Sequence, residues 1–258
     1  MRQDSGVATF RFYEELNDFL PPARRKKSFE HRFSGSVAIK DVIESLGVPH
    51  TEVEIVLVNG ESVRFSYLLR DGDRVAVYPM FEALDVTPLV RLRPKPLRVS
   101  RFVLDAHLGT LARHLRLLGF DTLYRNDFDD EELAQISRDE RRILLTRDVG
   151  LLKRSAVTHG YFLRETNPKR QLAEVVARFD LSRQAKPFAR CIRCNGLLRA
   201  IAASRLIGKI DDDLLHRHRR FHQCRECGRI YWPGTHYERM QQIVEDAGIH
   251  VSEYAPHG

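Results

Sequence analysis

The sequence predicts an α/β chain in three segments, and three observations carry that expectation. Residues 1–85 order two strands, a helix and two more strands. Residues 101–182 alternate short apolar strands with amphipathic helices, which is the pattern of βαβ units and a parallel sheet. Residues 183–258 hold all four cysteines, in two Cys-x-x-Cys pairs. Hydrophobic residues make up 43% of the 258 and charged residues 30%, a balance that excludes wholesale disorder.

In the first segment, Val7–Tyr13 alternates toward an extended strand, and His31–Phe33 begins a second. Between them Pro21-Pro22 and Arg24-Arg25-Lys26-Lys27 mark an exposed loop. Ser36–Leu46 reads as a helix, with Val37, Val42, Ile43 and Leu46 at helical spacing and Gly47 beyond. Glu54–Val58 is a strand, Asn59-Gly60 a hairpin turn, and Arg74–Tyr78 the last strand. Residues 86–100 alternate Pro88, Pro94 and Pro96 with Arg91, Arg93, Lys95 and Arg98, which predicts a stiff linker.

In the middle segment the predicted strands are Phe102–Leu104, Thr122–Tyr124, Ile143–Leu145 and Tyr161–Leu163. The predicted helices are Leu108–Leu118, Asp130–Ser137, Val149–Arg154 and Pro168–Phe179. Leu108, Leu111, Leu115 and Leu118 share one face, and Gly119 stops that helix. The third segment reads as poor in helix until Tyr237–Glu245.

Charge is unevenly spread. Residues 1–85 carry 11 basic and 14 acidic side chains, residues 86–182 carry 18 and 13, and residues 183–258 carry 13 and 8. The excess is mostly arginine, whose forked donors match phosphate oxygens, so a polyanionic partner is expected on the last two segments. No apolar run approaches the roughly 20 residues of a membrane span, and Met1–Arg11 lacks a signal-like apolar core. A cytoplasmic location without membrane partners is expected.

Ligands of open α/β sheets bind at the carboxyl ends of strands, where this sequence repeatedly places acids. Asp105 follows the first strand, and Asp148 follows the third through Thr146-Arg147. Asp127, Asp129 and Asp130 lie in the loop after the second strand, with Asp130 beginning a helix. Convergent carboxylates repel one another and call for a hard divalent cation, Mg²⁺ or Mn²⁺. Taken singly, Asp130 and Asp148 also suit helix N-caps.

Cys191, Cys194, Cys224 and Cys227 have the spacing of a four-cysteine zinc site, Cys-x-x-Cys twice with 29 residues between. Gly196 and Gly228, each just after a knuckle, suit tight turns toward the thiolates. Four thiolates close the tetrahedron, so the Zn²⁺ is structural. His216, His218 and His222 lie in the intervening stretch, where Arg217, Arg219 and Arg220 suit contact with single-stranded RNA. Tyr231 and Trp232 follow the second knuckle and suit either base stacking on that RNA or packing of the ribbon against the preceding domain, the latter being the expectation for Trp232.

The segment "VLVNG…LLRDGDRVAVYPM" and the β-β-α-β-β order resemble the ubiquitin-like β-grasp fold of small sulfur carriers. Those carriers end in a reactive Gly-Gly; here no glycine occurs between Gly72 and Gly109, so docking rather than sulfur transfer is expected. The stretch "RFVLDAHLGTLARHLRLLGFDTLYRNDFDDEELAQISRDERRILLTRDVGLLKR", with "CIRCNG" and "FHQCRECGRIYWPGTHYERM", resembles the Mut7-C domain. The resemblance implies a PIN-like nuclease domain over 101–182, a zinc ribbon over 183–258 and an N-terminal β-grasp domain over 1–85. It implies a Mg²⁺- or Mn²⁺-dependent ribonuclease with Asp105, Asp130 and Asp148 as its acids and Asp129 or Asp127 as the nearest fourth. Arg113, Arg116 and Arg147 beside these acids are the candidate phosphate contacts. The rival expectation is a non-catalytic RNA- or ribosome-binding module whose β-grasp domain docks a protein partner. The RNA class, whether tRNA, rRNA or mRNA, is left open.

Overall fold

The computed structural model describes residues 5–79 and 100–249; the expected linker lies outside them except for Ser100. The first elements are β1 (Ser5–Phe12), β2 (Phe29–Ser34), α1 (Ile39–Ser45), β3 (Val53–Val58), β4 (Glu61–Val63) and β5 (Arg74–Pro79). Next come β6 (Arg101–Leu104), α2 (Gly109–Leu117), β7 (Asp121–Leu123), α3 (Asp130–Asp139), β8 (Ile143–Thr146), α4 (Val149–Lys153), β9 (Gly160–Phe162) and α5 (Pro168–Arg178). The chain continues through β10 (Leu198–Ile201), α6 (Asp212–Arg217), β11 (Phe221–Cys224), β12 (Ile230–Tyr231) and α7 (Thr235–Asp246). These elements gather into two compact units, residues 1–98 with 130–162, and residues 99–129 with 163–258. The middle segment therefore contributes to both.

In the first unit a five-stranded mixed sheet has the order β2-β1-β5-β3-β4. β1 and β5 run parallel at its centre, and the other pairings are antiparallel. Alternation along β1 buries Ala8, Phe10 and Phe12, which meet Ile39, Val42 and Ile43 of α1 in one core. This is the ubiquitin-like arrangement that the strand order predicted. α1 starts later than the sequence suggests. Ala38 stays extended, bridged to Leu68, and the Ile39 amide donates to the Tyr67 carbonyl. Asn59 and Gly60 both take positive φ, 53° and 92°, as a two-residue turn between twisted strands requires. The strand after that turn, β4, is three residues long, too short to show alternation in the sequence.

The same unit includes α3 through β9. β8 and β9 pair in parallel, Leu145 opposite Tyr161. The turn His50–Glu52 packs beside them. The Phe162 amide donates to Glu52 Oε1 at 2.8 Å, and Lys153 Nζ donates to the Glu44 carbonyl at 2.7 Å. His50 lies between Glu44 Oε1, 2.6 Å from its Nδ1, and the Val157 carbonyl, 3.0 Å from its Nε2. Phe19 meets Phe162 edge to face with ring centroids 5.2 Å apart. The ubiquitin-like sheet is thus joined to β9 by buried polar and aromatic contacts.

In the second unit β6 and β7 pair in parallel, and α2 packs on α5 and α7. Leu108, Leu111, Leu115 and Leu118 are all buried along and at the ends of α2, the stripe that their spacing predicts. Asn167 caps α5 by accepting from the amides of Lys169 and Arg170, and Pro168 occupies the first turn. A further sheet, β10-β11-β12, is antiparallel and carries the cysteines at its ends. The third segment is more helical than expected. It contains α6, capped by Asp211, and α7 begins at Thr235 rather than Tyr237.

Candidate functional site

The four cysteines converge. Their sulfur atoms all lie within 4.8 Å of one another, and among the described residues they are the group of potential ligands that does so. Cys191 and Cys227 sulfurs are 3.7 Å apart, and those of Cys194 and Cys224 are 3.4 Å apart. A tetrahedron with zinc–sulfur bonds of about 2.3 Å has edges of about 3.8 Å, so the set fits a zinc ion. Each knuckle turns a backbone amide onto a sulfur: Cys194 N to Cys191 Sγ and Cys227 N to Cys224 Sγ, both 3.5 Å. Tyr231 Oη sits 3.0 Å from Cys191 Sγ. Burial raises the Cys191 thiol, but Tyr231 and the amides of Cys194 and Arg193 outweigh it and bring it down to about 7. Burial pushes Cys194 the other way, up to about 12.

The two knuckles turn differently. Gly228 takes φ +71°, as expected, but in the first knuckle the left-handed residue is Asn195, at φ 72°. Gly196 is needed for another reason, since a Cβ there would meet Glu226 Cγ at 2.5 Å. Asn195 reaches out of the knuckle to β7. Its Oδ1 accepts from the Thr122 amide at 3.0 Å, and its Nδ2 donates to Asp121 Oδ1 at 2.7 Å.

Arg116, expected as an exposed phosphate contact, is largely buried instead. It is 5% exposed, and its guanidinium donates to three carbonyls: Thr122 at 2.9 Å, Arg193 at 2.8 Å and Ile192 at 3.4 Å. Burial lowers its pKa, and the nearby Cys191, Cys194 and Asp121 raise it. The Nε and Nη1 groups of this side chain tie α2 and β7 to the first knuckle. Arg113, three residues earlier, is exposed and, among the described residues, bonds only Thr110 Oγ1 of its own helix, at 3.2 Å.

The four candidate acids divide between the units, Asp105 and Asp129 in one, Asp130 and Asp148 in the other. Asp105 follows β6 directly and accepts from the Ala106 amide. Asp148 lies two residues beyond β8 and caps α4, its Oδ1 accepting from the amides of Gly150 at 2.6 Å and Leu151 at 3.3 Å. Asp130 is the first residue of α3, not a cap, and pairs with Arg154 at 3.5 Å. Asp129 and Arg147 are exposed.

On the ribbon, Arg217, Arg219 and Arg220 are exposed, and Arg217 pairs with Asp213 one turn back at 3.0 Å. His222 is not in a loop but in β11, buried opposite Tyr231, and burial lowers its pKa. Tyr231 and Trp232, both half-buried, line a small cleft with Leu117 and Phe188. Sequence reasoning passed over Asn195, Tyr124, Arg193 and Arg229. The available signal was local: Arg193 stands inside the first knuckle, and Arg229 directly follows the second.

Residues 100–244 match the family model described as Mut7-C RNAse domain, and residues 5–85 match that described as Mut7-C ubiquitin. No curated protein and no solved structure matches the chain.

Proposed function

Since the chain belongs to the Mut7-C family, we propose that it is a metal-dependent ribonuclease that hydrolyses RNA phosphodiesters at a PIN-like acidic site. Asp105, Asp130 and Asp148, with Asp129 beside Asp130, would hold Mg²⁺ or Mn²⁺; their carboxylate oxygens are the donors such hard cations take. When bound, the ion supplies polarisation of the phosphodiester and a more acidic water. The protein's own part is orientation. Amides of the following turns hold one oxygen each of Asp105 and Asp148, which fixes both carboxylates just beyond parallel strands. That placement at strand ends is the observation that carries the reading. Arg113, on the helix that follows Asp105, and Arg147, next to Asp148 in the chain, are exposed and suit flanking phosphates.

The same caps favour a second reading, an RNA- or ribosome-binding module without catalysis. A carboxylate that caps a helix is already explained by the fold. In either reading the ubiquitin-like sheet is a site for a protein partner. The four unpaired thiols suit a reducing cytoplasm. The test is cleavage of a mixed labelled RNA pool with Mg²⁺, Mn²⁺ or chelator, by the protein and by Asp148→Asn. Metal-dependent cleavage that the variant loses supports the enzyme. RNA binding by both proteins with no cleavage under any metal sinks it and leaves the binding module.

A further inference from the structure

The second unit contains an open groove of about 440 Å³, lined by Gly109, Arg113, Arg116, Tyr124, Arg193 and Arg229. We infer that this groove seats the backbone of single-stranded RNA, with Arg113, Arg193 and Arg229 as phosphate contacts set in place by the two zinc knuckles. The inference deepens the ribonuclease reading and rests on it for the identity of the anion as RNA.

Charge is the first argument. Four guanidinium groups share one groove and no carboxylate lines it. Arg193 and Arg229 form no ion pair among the described residues. Like charges lining one groove repel one another, and an anion among them relieves that repulsion. Arg116 lines the groove too, with its Nε and Nη1 committed to the carbonyls of Thr122, Ile192 and Arg193.

Rigidity is the second. Arg193 lies between two cysteines of the metal site, and the Arg229 carbonyl accepts from the Cys224 amide at 2.9 Å. Both backbones are therefore fixed by the knuckles, so little ordering is lost when phosphate binds. Tyr124 is also fixed: its hydroxyl donates to the Ala106 carbonyl at 2.7 Å. A Cβ on Gly109 would come within 2.7 Å of that hydroxyl, so glycine leaves the phenol its room. The tyrosine offers a base a stacking surface and links the groove wall to Ala106, the neighbour of Asp105. The volume is that of a small-ligand site, which suits a short stretch of one strand rather than a duplex.

The experiment is fluorescence anisotropy of a labelled 12-nucleotide oligouridylate on the full, zinc-loaded chain without Mg²⁺ or Mn²⁺. Arg193→Ala and Arg229→Ala should each weaken binding by about tenfold. Together they should reduce the slope of log K against log salt by about 1.4, at about 0.7 per phosphate contact. Arg113→Glu, outside the knuckles, should weaken binding by more than tenfold with zinc content unchanged. Arg205→Ala, an exposed ribbon arginine away from the groove, should bind like wild type. Undiminished affinity in Arg113→Glu, or in the double variant with zinc retained, would overturn the inference, as would an equal loss in Arg205→Ala. Cleavage is scored separately. No cleavage under any metal, with binding lost in the groove variants, defeats the ribonuclease and leaves the groove standing. Cleavage with undiminished binding in those variants defeats the groove alone.

Discussion

The Thr122 amide donates to the side-chain oxygen of Asn195, 73 residues along the chain, at 3.0 Å. A residue of the first zinc knuckle thus satisfies a buried donor on the free edge of β7. Two features of Asn195 serve this. It tolerates the left-handed backbone of the knuckle, and its short amide can accept from one partner while donating to another.

Replacing Asn195 separates those features. Asn195→Gly keeps the backbone conformation but leaves the Thr122 amide without its acceptor, and should destabilise the protein by about 1–3 kcal/mol. Asn195→Ala adds left-handed strain of roughly 1 kcal/mol. Denaturant unfolding at neutral pH with saturating zinc should therefore rank wild type, then Gly, then Ala. Equal stability of all three would mean that the amide finds another partner.

Glu52 does at β9 what Asn195 does at β7. The carboxylate is 1% exposed and accepts from the Phe162 amide. Glu52→Gln keeps an acceptor and should cost little. Glu52→Ala leaves a buried donor unmet and should cost about 2 kcal/mol. The local readout is amide exchange of residues 160–162, which should speed up in the alanine variant before the ubiquitin-like sheet is affected.

The metal should be structural. One zinc per chain is expected by elemental analysis. A metal present at a thousand times its dissociation constant adds about 4 kcal/mol to folding. Chelation should then lower Tm by roughly 8–16 °C, at 2–4 °C per kcal/mol for a chain of this size. The loss should spread to Arg116, whose carbonyl partners Ile192 and Arg193 belong to the knuckle. A chelated protein that melts unchanged would disprove a structural role.

Acid should weaken the second unit. Burial holds His114 and His222 below the ordinary imidazole value of 6.5. The fold favours their neutral forms, so their contribution is complete above about pH 6.5 and is lost as pH falls through that value toward the folded pKa. His114→Gln should flatten the decline of unfolding free energy between pH 7 and 5, measured at fixed zinc occupancy. An unchanged slope would remove His114 from the account.

Much of this protein is written locally. Alternation along β1, the Asn59-Gly60 turn, the leucine stripe of α2 and the paired cysteines each depend on a few neighbouring residues, so each is legible without the fold. Where the acids stand, beyond β6 and β8, was legible for the same reason. The role of Arg116 was not. On a helix surface an arginine reads as solvated, and only the fold brings it the carbonyls of Thr122 and of the knuckle 76 residues on. The same holds for Arg193 and Arg229, which become one wall of a charged groove only when the metal site closes next to α2. Periodicity reports which face of an element is apolar. Whether a buried charge finds partners depends on groups distant in sequence, which only folding brings together.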